Sequence, residues 1–70
     1  MAEPDTLVSA GTDPDPAVGL RAVVALRRLV ERLERLQVER ARELGWSWAD
    51  IAGALGVSKQ AVHRKHSTRD

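Results

Sequence analysis

The chain has 70 residues, 43% of them hydrophobic, with no Cys, Phe or Tyr and a formal net charge of +1. That length allows one small domain, the missing Cys excludes disulfides and thiolate metal sites, and the apolar content is too high for full disorder. No apolar run reaches membrane-span length and the acidic start does not resemble a signal peptide, so a cytoplasmic protein is expected.

Residues 1–15 hold three acids before Asp15, two of the three Pro, and no helical period. They are expected to form a disordered acidic tail. The charge is uneven: Met1 to Pro16 carries four acids and no base, and the remainder carries all eleven bases against six acids. A basic body with an acidic tail suits a nucleic-acid binder, although the tail itself is read as a solvated segment.

Asp15 followed by Pro16 predicts a helix start, with the Asp as N-cap and the Pro in the first helical position. Nothing after Gly19 breaks the pattern until Gly45, so one long helix is expected from Pro16 to Leu44. Leu26, Leu29, Leu33 and Leu36 step by three, four and three, as in a coiled-coil seam. The end of this helix, near Leu36, Arg40 and Leu44, is expected to pack on whatever follows it. The stripe of Val23, Leu26, Leu29, Val30, Leu33 and Leu36 then needs a cover, because soluble monomers rarely expose such a patch. A homodimer through these six residues is the simplest cover; the alternative is a helix that breaks near Arg27 or Arg28 and folds back on itself.

The run from Ser47 to Ser67 is the most specific part of the chain. Ser47 is placed to N-cap a short helix, with Asp50 three residues on completing a capping box and Trp46 and Ile51 forming a hydrophobic staple. Gly56 marks the end of that helix and Ser58 caps a second one. Ala52 is small four residues before Gly56, and Val62, six residues after it, faces inward toward Ile51 and Leu55. This is the spacing of a helix-turn-helix whose second helix lies in the major groove.

The stretch SWADIAGALGVSKQAVHRK resembles the tri-helical helix-turn-helix of bacterial regulators, especially the motif in the fourth region of sigma factors. The acidic tail, one long helix and terminal WSWADIA-type motif are together similar to small stand-alone helix-turn-helix proteins of actinobacteria. The resemblance implies an all-α fold, with a trihelical, homeodomain-like domain over residues 16–70, that regulates transcription by binding double-stranded DNA. It departs from many members at Lys65, where they bury a second apolar residue. Within the recognition helix, 58–66, Ser58 and the helix-start N–H groups are expected to hold a phosphate. Lys59, Gln60 and His63 are expected to reach base edges, and Arg64, Lys65 and Arg69 to meet phosphates.

His63 and His66 stand three apart, a spacing that can hold a metal, but no third ligand is evident and no metal or other cofactor is expected. Trp46 and Trp48 are read as core residues rather than a base-stacking platform. No nucleophile–base pair, carboxylate dyad or phosphate-cradling loop is present, so no enzyme is expected. The rival reading is a protein-interaction module whose long amphipathic helix docks on a partner regulator.

Overall fold

A computed structural model describes residues 4–67. Among them are four helices and no strand: α1 (Pro4–Gly11), α2 (Pro16–Glu43), α3 (Trp48–Leu55) and α4 (Lys59–His66). The chain divides into two units, Met1–Leu33 and Glu34–Asp70, with α2 running across the division. No helix of the described residues is long and apolar enough to cross a membrane.

The N-terminal unit corrects the expectation of a disordered tail. Pro4 opens α1, where its missing N–H costs no helical bond, and Asp5 stands in the first turn against the positive helix end. Leu7, Ala10 and Gly11 follow at helical spacing and are half-buried, a short stripe hidden by the surrounding Pro and Asp residues. The chain leaves α1 through bonds from the Thr12 and Asp13 N–H groups to the Ser9 and Ala10 carbonyls, both 3.1 Å. Asp15 then caps α2 as expected: its Oδ1 accepts the Ala17 N–H at 3.0 Å.

α2 is continuous through Arg27 and Arg28, which removes the fold-back alternative. In this unit Gly19 and Ala22 are buried and Val18, Leu26 and Leu29 half-buried, while Val23, Val30 and Leu33 remain exposed. The six-residue stripe is therefore not uniform. Its two half-buried members lie on the side nearer Ala22, and the end of α1 at Gly11 lies beside Leu26.

The C-terminal unit is built around Val38, Ile51, Ala52 and Val62, each no more than 5% exposed, with Ala41 and Trp48 packed against them. The face that α2 turns to this core is Val38 and Ala41, not the expected Leu36, Arg40 and Leu44. Leu36 is 58% and Leu44 66% exposed. The physical reason is closeness: Ala41 and Ala52 are small enough for the helices to approach, and the larger leucines are left outside.

Both turns are fixed by glycine. Gly45, at φ 91°, follows Leu44, and the Trp46 N–H reaches back to the Ala41 carbonyl at 2.9 Å while Gly45 bonds Arg42 at 3.0 Å. That is the Schellman pattern, which a Cβ-bearing residue adopts only with strain. Gly56, at φ 74°, ends α3 with its own N–H and that of Val57 both bonded to the Ala52 carbonyl. The capping box is complete: the Asp50 N–H donates to Ser47 Oγ at 3.0 Å and the Ser47 N–H to Asp50 Oδ2 at 3.1 Å.

Candidate nucleic-acid interface

α4 begins at Ser58, whose Oγ accepts the Ala61 N–H at 3.1 Å. Val62, 2% exposed, holds the helix against the core from one side. Gln60 and Arg64 stand two residues to either side of Val62, so a 100° step per residue puts them on the opposite face. Ser58, Lys59, Gln60, His63, Arg64 and Lys65 are all exposed, and α4 contains no acid. The expected site residues within 58–65 are thus brought onto one short, basic element. Arg69 lies outside the described residues.

Two of the basic residues have partners that sequence spacing could not reveal. Lys65 Nζ stands 3.2 Å from Glu34 Oε2, and His66 Nε2 meets the same oxygen at 2.7 Å. Glu34 lies on α2, 32 positions from His66, so this cluster joins the end of α4 to the first helix of the unit. The hydrogen bond from His66 holds the Glu34 carboxyl below the usual carboxylate range; partial burial opposes this, and the Lys65 ammonium adds to it. Lys65 also lines an open groove with Glu34, Leu55, Val57, Ala61 and Val62, at the position where an apolar residue was missing. Asp50 is likewise held low, first by the Ser47 backbone N–H and then by the Ser47 side chain.

The two Trp residues have different places. Trp48 packs on the core, whereas Trp46 is exposed, contrary to the expectation that both cover it. The Arg42 guanidinium lies 4.5 Å from the centroid of the Trp48 ring and donates from Nη1 to the Trp46 carbonyl at 2.8 Å. Trp48 in turn meets the His63 ring edge to face, with centroids 5.3 Å apart and planes at 83°. Ser67 Oγ stands 3.4 Å from His63 Nδ1 and also donates to the His63 carbonyl. His63 and His66 are held by different partners, and among the described residues no group of three His, Asp or Glu is placed to hold a metal. Sequence spacing gave His63 a place on α4 and no sign of Arg42 or Trp48 around it; only Trp48 as an apolar residue of the core was foreseeable.

The geometry available is a capped, exposed, acid-free helix end whose donors and acceptors project from a fixed three-helix frame. Such an element can enter an anionic groove and present side chains to base edges. A family model described as a homeodomain-like domain matches residues 26–67, and neither a curated protein nor a solved structure matches the chain.

Proposed function

The chain belongs to the homeodomain-like family of helix-turn-helix DNA-binding domains, and from that membership we propose that it is a small, sequence-specific regulator of transcription with α4 as its recognition helix. The observation that carries this reading is the pair Gln60 and Arg64, set opposite the buried Val62 with Lys59 and His63 exposed on its flank, on a helix without acids. Ser58 and the first-turn N–H groups of α4 suit a phosphate. Lys59 suits guanine and Gln60 suits adenine in the major groove. Arg64, a turn further on, suits a phosphate where the helix leaves the groove. The motif's likeness to the fourth region of sigma factors supports a bacterial regulator.

In this reading two copies act together, through the α2 residues left uncovered in the N-terminal unit, Val23, Val30 and Leu33. Leu26 and Leu29 contribute less because they are already half-buried, and Leu36 is exposed in the C-terminal unit. Replacing Val30 and Leu33 with Asp leaves a monomer in light scattering. A wild-type chain that is monomeric at high concentration removes the dimer from the proposal.

The test of the main reading is a salt titration on duplex DNA, before and after selection of a preferred site. The logarithm of the binding constant falls steeply with the logarithm of salt, by about 0.9 per phosphate neutralised. Gln60→Ala costs about 1–3 kcal/mol on the selected site and little on random DNA; Arg64→Ala weakens both and flattens the slope by about one. The exposed Leu36, Leu44 and Trp46 favour one rival, docking on a partner protein. It requires DNA binding that is absent or indifferent to salt.

A further inference from the structure

We infer that Glu34 limits the strength of the proposed DNA interface by occupying the Lys65 ammonium and withholding it from a duplex phosphate. The inference rests on α4 being the recognition helix and adds which of its cations the fold keeps back.

The bases of α4 are not equivalent. On a helix that steps about 100° per residue, Arg64 stands about 160° from the buried Val62, and Lys65 about 60° from it on the same side. Lys65 is therefore on a flank of α4, between the face proposed to enter the groove and the face that meets the core. Phosphates line the walls of a groove, beside the flanks of a helix lying in it. A flexible four-carbon stem at this position is placed to meet one, and the Lys65 side chain is 51% exposed. Its ammonium nevertheless lies 3.2 Å from Glu34 Oε2.

Glu34 keeps its place without Lys65. The same Oε2 meets His66 Nε2 at 2.7 Å, and the His66 side chain is only 8% exposed. That contact is the shorter and the more sheltered of the two. The carboxyl is held below the usual range by His66 first, with burial opposing and Lys65 assisting, so Glu34 is ionised at neutral pH. To a Lys ammonium, a carboxylate and a phosphate are alike: each is an anionic oxygen for a point charge. Moving Lys65 from Glu34 to DNA exchanges one exposed anion for another, which gains little, and leaves a carboxylate facing the DNA backbone with His66 alone. In the wild-type complex Lys65 stays on Glu34, and α4 neutralises one phosphate fewer than its count of bases suggests. With the carboxylate charge removed, the same ammonium becomes a phosphate contact.

The experiment is a salt titration of the full chain on a random duplex, with wild type, Glu34→Gln, Lys65→Ala and the double variant. Gln keeps the size of Glu34 and an acceptor oxygen for His66, and removes the charge. Glu34→Gln binds about threefold tighter at low salt, and its slope of log binding constant against log salt steepens by about 0.9. Lys65→Ala alone leaves the slope at the wild-type value, and in the double variant it cancels the steepening. That non-additivity separates a withheld Lys65 from the simple loss of a negative field, which would persist in the double variant. A purely structural Glu34 would instead make Glu34→Gln bind more weakly, in step with its loss of stability. Lys65→Ala leaves the contact between Glu34 and His66 in place, so it decides the matter even where Glu34→Gln fails to fold. A slope reduced by about 0.9 in that variant means that Lys65 already sits on a phosphate, and it overturns the inference. An unchanged slope in Glu34→Gln, or a steeper one that survives in the double variant, overturns it too and leaves DNA binding by α4 standing. Duplex binding by wild type that is absent or indifferent to salt overturns both.

Discussion

The two units of this chain are both helical and are held in different ways. In residues 34–67 every helix end between α2 and α4 has a specific stop or start: a Schellman turn at Gly45, a capping box at Ser47, a left-handed Gly56 and a Ser58 cap. The caps enclose a core of four buried side chains. In residues 4–33 the start of α2 is capped by Asp15, but α1 contains no buried residue and Ala22 is the one buried hydrophobic side chain described. An eight-residue helix is not stable alone, so α3 and α4 exist because caps and core act together. Apolar residues without that agreement leave α1 resting on a half-covered surface.

The contrast is tested most severely in the core. Ile51→Ala removes a side chain that is 3% exposed at the centre of three helices. The expected loss is about 2–5 kcal/mol, comparable with the whole stability of a unit this size, and thermal melting followed by circular dichroism reads it. Leu7→Ala, at a half-buried site on α1, should cost roughly 1 kcal/mol or less. Similar losses for the two would erase the distinction between the units.

A smaller effect isolates the turn from the core. Gly56 has φ 74°, and a Cβ built there meets nothing within 4 Å. Gly56→Ala therefore introduces backbone strain without a clash, about 1–2 kcal/mol. A melting temperature equal to wild type would show that the turn relaxes and that the cap is not what fixes α3 against α4. Next in size comes the N-cap: Ser47→Ala loses the bond to the Asp50 N–H, for about 1 kcal/mol.

These same residues mark what could be read along the chain. Asp15, Ser47, Asp50, Gly56 and Ser58 act on neighbours within four positions, so their pattern is visible locally and the helix-turn-helix follows from it. The face of α2 was not visible in that way. Leucines at 36 and 44 draw a hydrophobic reading toward themselves, while the contact is made by Val38 and Ala41, chosen by how closely three helices approach. α1 was obscured by Pro and Asp, residues that usually signal a loop but that also suit a helix start. In the candidate site, α4 and its exposed side chains were legible. The partners from other elements were not: Glu34 for Lys65 and His66, and Arg42 and Trp48 for His63, meet across the fold without a spacing rule.

The smallest effect concerns that long-range cluster and depends on pH. Glu34 is held below the usual carboxylate range mainly by its hydrogen bond from His66, with Lys65 assisting. A carboxylate whose folded pKa is depressed contributes stability that is fully present above its unfolded value, about 4.3, and is lost as the pH falls through the folded value. Half of the Lys65 side chain is in water, so screening keeps the contribution of the pair under about 1 kcal/mol. The acid side of the stability profile of wild type should therefore fall away below about pH 4.3, and Glu34→Gln should flatten that limb while lowering stability slightly at neutral pH. Chemical denaturation between pH 3 and pH 7 measures both curves. Parallel acid limbs would mean that Glu34 does not join α4 to α2 in solution, and that the C-terminal unit is held by its caps and its core alone.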